Sequence, residues 1–231
     1  FNLGNHTMDL LKKSPLLEEK HVRFAEEFIQ NVWSLIKNLD LSNSSATAKA
    51  FLDESLNNDH SIAVTMISSL LGKELGFKTD KSVKIIGLSA FFHDIGLFAT
   101  PELYHEDVQQ MNDEQKRAFY SHPVRGAKLV SQMKGIDPVV IQTIENHHKR
   151  RDGSGFPNKA HSNNHVPVTA EIIGISEEYL RFIQKFDYTQ MPIEKYLVNL
   201  DSRVFSGFSQ EVIEALKAVI KYNQLKEKKS A

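Results

Sequence analysis

Apolar, helix-like stretches of this chain repeatedly end on imidazoles and carboxylates. They do so at His60, at the pair His93-Asp94, at His122 and at the pair His147-His148, just before Asp152-Gly153-Ser154-Gly155-Phe156-Pro157. His60 shares a helical face with Val64, Ile67 and Leu71. His93 follows Ile86 and Ala90, and Asp94 follows Val83, Gly87 and Ala90, at the steps of three and four that line one side of a helix. His147 lies below Val140 and Ile144, and His148 below Ile141 and Ile144, so two adjacent rings leave one helix end in neighbouring directions. Burying several imidazoles and a carboxylate without partners would cost on the order of several kcal/mol in total. A shared cation uses their lone pairs instead, so the chain is expected to fold around one metal site.

Taken singly, the same residues have plainer readings. A lone histidine such as His60 or His122 on an apolar face is ordinarily a hydrogen-bonded core residue. His147-His148 also reads as a helix C-terminus, where the dipole favours imidazolium, and Asp-Gly-Ser-Gly also reads as a turn.

In order and spacing the set resembles the HD-GYP family, a branch of the HD-domain metal-dependent phosphohydrolases. The resemblance runs through Asn58-Asp59-His60-Ser61, His93-Asp94-Ile95-Gly96, Ser121-His122-Pro123, His147-His148 and the Asp152–Pro157 run. It continues through Glu171-Ile172-Ile173-Gly174-Ile175-Ser176-Glu177 to Phe208-Ser209-Gln210-Glu211-Val212. It implies an all-α HD-domain helical bundle with a buried two-metal site that hydrolyses cyclic di-GMP, a bacterial second messenger, through a metal-bridging hydroxide. By the same resemblance one ion would take His60, His93, Asp94 and Glu177. The second would share Asp94 and add His122, His147 and His148, with His93 and Asp94 as the catalytic pair. A carboxylate shared in this way holds two cations about 3.5 to 4 Å apart, a spacing suited to in-line displacement at a phosphodiester. Histidine and carboxylate ligands without thiolate suit divalent iron first and manganese second, and zinc and nickel also accept them.

The chain departs from the family pattern at several positions. The lysine that follows His-Asp-Ile-Gly is Leu97, the tyrosine of Gly-Tyr-Pro is Phe156, the glutamate after the histidine pair is Lys149, and the late aspartate ligand is Glu177. Some members carry an acidic residue one turn before the first histidine for a third metal; here that position is Leu56, so two metals are expected. The Asp-Ala-Leu run and its arginine are not recognisable, and Tyr179, Leu180, Arg181 and Lys185 stand in their place. Lys149, Arg150 and Arg151, with Arg181 and Lys185, are the expected phosphate contacts; a solvated loop is the alternative reading of the basic run. Two other functions compete with the phosphodiesterase: a nonhydrolytic cyclic di-GMP sensor or interaction module that keeps the metals, and a phosphohydrolase of another nucleotide.

Composition narrows the class. A formal net charge of −1 argues against a general nucleic-acid-binding surface. Zero cysteines exclude disulfides and thiolate ligands and fit a cytoplasmic setting. No apolar run approaches the roughly 20 residues that span a bilayer. The start at Phe1 reads as that of a fragment or processed chain, with any targeting information upstream.

The pattern is helical almost throughout, without repeats or strong strand signals. Val22, Ala25, Ile29, Val32, Ile36 and Leu39 form an apolar stripe, followed by a polar hinge from Asp40 to Thr47. Residues 1–45 are expected to be an N-terminal helical segment, one helix preceding the bundle and either a linker or the end of a regulatory domain, and 46–231 the metal-dependent domain. The stripe is expected to pack on its own domain, with dimerisation as the alternative. Later helices are expected at about 59–75, 80–94, 113–133, 137–148, 167–185 and 209–226, and His122 before Pro123 marks a place where a helix can begin. Thr100 to Asn112 reads as a loop or lid, and Gly153 to Val166 as an irregular loop.

Overall fold

The computed structural model describes residues 2–13, 16–39, 50–51, 53–55, 57–100, 103, 108–157, 165–185 and 207–222. The expected hinge at Asp40 to Thr47, Leu56, residues 101–102 and 104–107 of the expected lid, residues 158–164 of the expected irregular loop, and the side chain of Lys185 lie outside these described residues.

Within them the chain is all helical. The elements are α1 (Asn2–Lys13), α2 (Glu19–Ile36), α3 (His60–Glu74), α4 (Asp80–Phe92), a 3₁₀ turn (Ile95–Leu97), α5 (Asp113–Val130), α6 (Pro138–Asn146), α7 (Val168–Lys185) and α8 (Gln210–Tyr222). Among the described residues the sole β pairing is an isolated bridge between Lys149 and Gly155.

Several helix starts follow from single side chains. Asp59 accepts from the Ser61 amide to open α3, Thr79 from that of Ser82 to open α4, and Asp137 from that of Val139 beside Pro138 to open α6. Asn112 and Gln115 form a reciprocal capping box on α5. Each such cap contributes about 1 kcal/mol, and together they fix where the helices carrying the histidines begin.

Two of the helices are apolar nearly all round and form the centre. Every residue of α3 from Ser61 to Gly72 is buried, as is most of α4 from Ile85 to Phe92. A helix without a polar face has to be enclosed by others. The stripe of α2 supplies one wall: Val22, Ala25, Ile29, Val32 and Ile36 share one core with Met8 and Leu11 of α1 and with residues of α3, α4, α7 and α8. Three buried hydroxyls of α3, those of Thr65, Ser68 and Ser69, are satisfied locally or across the core. Thr65 donates to the Ser61 carbonyl, Ser69 to that of Thr65, and Ser68 to the Ser176 hydroxyl of α7 at 3.0 Å.

Three expectations need correction. The N-terminal segment contains two helices rather than one. The helices that carry His93 and His147 stop one residue before them, at Phe92 and Asn146. No helix begins at His122: α5 runs unbroken past it with Pro123 inside.

Candidate metal centre

Six elements and junctions bring the seven sequence-selected residues together. His60 is the first residue of α3, His93 the C-cap of α4, and Asp94 opens the 3₁₀ turn. His122 lies inside α5, His147 is the C-cap of α6 with His148 next, and Glu177 lies in α7. His93, Asp94, His122, His147, His148 and Glu177 are all buried. Their donor atoms form two groups, Asp94 with His122, His147 and His148, and His60 with His93, Asp94 and Glu177. Within each group all lie within 4.8 Å of one another, and each could hold a metal ion. Asp94 belongs to both: its Oδ1 lies 3.2 Å from His122 Nε2, and its Oδ2 lies 3.2 Å from His93 Nε2 and 3.8 Å from His60 Nε2.

Three of the rings are aimed by the same device. The Nδ1 of His93, His122 and His147 pairs with the carbonyl three residues earlier, Ala90 at 2.7 Å, Phe119 at 2.6 Å and Ile144 at 2.6 Å. A carbonyl only accepts, so each Nδ1 carries a proton and each ring turns its Nε2 inward. Ala90 and Ile144 lie in last turns, where helix carbonyls lack intrahelical partners. At His122 the gap is made by Pro123, which has no amide to donate to the Phe119 carbonyl four residues back. The imidazole of His122 takes that carbonyl instead.

The inward atoms conflict unless a cation joins them. Nε2 of His122 and Nε2 of His147 face each other at 3.3 Å, although both Nδ1 atoms hold the ring protons. Buried Nε2 of His148 and Oε2 of Glu177 have no hydrogen-bond partner. Burial, with the neighbouring histidines, pushes His147 down to about 3 and His148 well below the usual imidazole range. At His93 burial also opposes charge, but the adjacent Asp94 and then Glu177 outweigh it and raise the ring to about 9. Asp94 is held well below the ordinary carboxylate range, its burial being overcome by His93 and His122. A carboxylate ringed by imidazole nitrogens in a dry interior matches the donor set of a divalent transition metal.

Glu177 is positioned from behind. Arg181, one turn on, pairs with its Oε1, while Oε2 faces the site 3.7 Å from His148 Nδ1. Arg181 also approaches Glu178 at 3.6 Å, and Glu178 accepts from Arg150 at 3.0 Å. The Arg150 guanidinium donates to the carbonyls of His147 and Lys149, each at 3.0 Å, and lies 4.4 Å over the Phe208 ring. Arg151 makes two bonds to the fully buried Glu171 carboxylate at 2.7 and 2.9 Å, and Glu171 also accepts from the Ser209 amide at 2.6 Å before α8. Two of the three residues of the basic run thus tie the α6 end to α7 and α8. Nothing local in the sequence signals these carboxylate partners. Replacing Arg150, whose side chain is 9% exposed, with alanine is expected to lower stability by about 3 kcal/mol, because it leaves carbonyls and Glu178 short of a charged donor. Lys149→Ala should change it by about 0.5 kcal/mol or less; chemical denaturation of both variants checks the contrast.

The departures from the family pattern have places in the packing. Leu97 is buried in a small cluster with Leu103 and Met111, against Val108, Ala118 and Phe119. The Phe156 ring stacks on His148 at 4.3 Å and 25°. Gly155 holds φ at +83°, and a Cβ there would lie 2.0 Å from the His148 carbonyl, so the turn closes on the histidine pair only with glycine. Restoring the hydroxyl by Phe156→Tyr is expected to leave metal content unchanged, since the ring contributes packing; elemental analysis that found lost metal would contradict this.

Residues 50–196 match the HD domain family, and the chain belongs to it. It is 30% identical over 98 residues to a cyclic di-GMP phosphodiesterase of Pseudomonas aeruginosa, covering 42% of this chain and 23% of that protein. It is 26% identical over 219 residues to the 3'3'-cGAMP-specific phosphodiesterase 1 of Vibrio cholerae, covering 89% and 47% respectively. The chain therefore spans between about a quarter and a half of these curated relatives. Among solved structures, an HDG"Y"P protein from Bdellovibrio bacteriovorus matches with a TM-score of 0.69 at 20% identity, covering 95% of this chain and 69% of that one, a likeness of fold. No described helix is long and apolar enough to cross a membrane.

Proposed function

We propose that this chain is a metal-dependent phosphodiesterase unit that hydrolyses a cyclic dinucleotide, with cyclic di-GMP as the first candidate. The observation that carries the reading is the opposition of His122 Nε2 and His147 Nε2 at 3.3 Å beside Asp94, with both ring protons committed elsewhere. His60, His93, Asp94 and Glu177 would hold one divalent ion, iron before manganese, and Asp94, His122, His147 and His148 the other. Bound there, such a pair supplies Lewis acidity at a phosphoryl oxygen and a nucleophile at neutral pH. The names of the two curated relatives support the phosphodiester class.

The chain's own residues would orient the substrate. Lys149, next to the histidine pair, and the half-exposed Arg181 are assigned to phosphate oxygens. Arg150 and Arg151 act through the ion pairs that hold the α6 end, and Lys185 remains a candidate contact. Product analysis on purified, metal-loaded protein tests the proposal. Cyclic di-GMP is expected to give the linear dinucleotide or GMP, with 3'3'-cGAMP run alongside.

One observation favours a second reading, a cyclic di-GMP sensor without turnover. Leu97 puts an apolar packing residue where the family has a lysine, and its side chain is 2% exposed within its own cluster. Tight binding with no product would select that reading. Turnover of other phosphoesters without any binding of cyclic dinucleotides would replace both.

A further inference from the structure

Beside the metal centre, α5 presents an aromatic side chain that the fold leaves uncovered. Tyr120 is 45% exposed and Val124, one turn on, 40% exposed. The Tyr120 ring meets Phe156 edge-on at 5.0 Å and 80°, and Phe156 in turn stacks on His148. Phe119 closes the group from below, 5.7 Å from both Tyr120 and Phe156. Tyr120 is thus two ring contacts from a candidate metal ligand. The other large exposed apolar side chains among the described residues, Leu10, Leu16 and Leu35, belong to α1, α2 and the link between them.

We propose that Tyr120 is a base-stacking platform that receives the purine ring of a nucleotide whose phosphodiester lies at the metal centre. The proposal rests on the phosphodiesterase reading above and adds a subsite to it. Size favours a base over a protein partner. Two side chains fall far short of the roughly 800 Å² per partner that a stable protein interface buries, but they match one face of a purine. Chemistry favours it too, since an exposed aromatic ring offers a π-face to any flat base. Phe156, lodged between Tyr120 and His148, fixes the height of the platform relative to the site.

The test uses the metal-loaded chain and a phosphorothioate analogue of cyclic di-GMP in which one guanine is replaced by 2-aminopurine. Binding to the wild type is expected to quench the 2-aminopurine fluorescence. Tyr120→Ala is expected to weaken binding about tenfold and to relieve the quenching, with metal content unchanged by elemental analysis. Tyr120→Phe should keep both affinity and quenching, because the ring and not its hydroxyl does the stacking. If the alanine variant fails to fold, Tyr120→Leu keeps most of the volume without the π-face and should show the same loss. Wild-type affinity and quenching in Tyr120→Ala or Tyr120→Leu would overturn the platform alone, as would a loss in Tyr120→Phe equal to that in Tyr120→Ala. No binding of the probe to the wild type would overturn the platform together with the reading it rests on.

Discussion

Gly96→Ala is expected to be among the most damaging single-methyl additions to this chain. A Cβ at Gly96 would lie 2.1 Å from the His122 carbonyl oxygen and 2.9 Å from the Gly126 amide nitrogen, both backbone atoms of α5. No side chain can swing away to make room, so the 3₁₀ turn and α5 have to separate. Overpacking of a tight core contact costs about 1 to 3 kcal/mol where neighbours relax; here the opposing backbone puts the expected loss at about 3 kcal/mol or more. For a chain of this size that corresponds to roughly 10 °C in melting temperature. The same separation would pull Asp94 from His122, now 3.2 Å apart, so metal content should fall as well. A thermal melt within about 2 °C of wild type would show that α5 yields at this contact.

The second large effect is expected at Asp94. It is the one residue common to both donor groups, and its two oxygens face different histidines. Asp94→Asn keeps the volume while removing the charge, and Asp94→Ala removes the shared anchor altogether. Both variants should lose at least one ion equivalent and, with it, the hydrolysis proposed above, the alanine variant more completely. Elemental analysis showing undiminished metal in Asp94→Ala would defeat the assignment of Asp94 as the bridge.

Much of the site was legible because its chemistry conflicts with its surroundings. Imidazoles at helical spacing below Val140, Ile144, Ile86 and Ala90 point into a core, and core positions for polar side chains demand a reason that the sequence itself states. The α2 stripe was readable for a similar reason, since apolar periodicity is local. His122 was harder. Proline commonly opens helices, so the His122-Pro123 pair read as a start, whereas the structure uses the proline inside α5 to free a carbonyl. The basic run was only partly legible: three adjacent cations suggest a phosphate, and the carboxylates that engage Arg150 and Arg151 lie on α7, 28 and 20 residues away in sequence. The wall formed by α1 was not read from the sequence, although Gly4, Thr7, Met8 and Leu11 recur at helical spacing and are buried.

The rings hung from Ala90, Phe119 and Ile144 also bear on how such a site endures. Each takes its aim from the main chain at a gap in a helix ladder, two natural ends and one defect made by Pro123. Neighbouring side chains are then free to drift while the three nitrogens stay trained on one point. That insulation accounts for a chain in which Leu97, Phe156 and Glu177 have all left the family pattern and the histidines still converge.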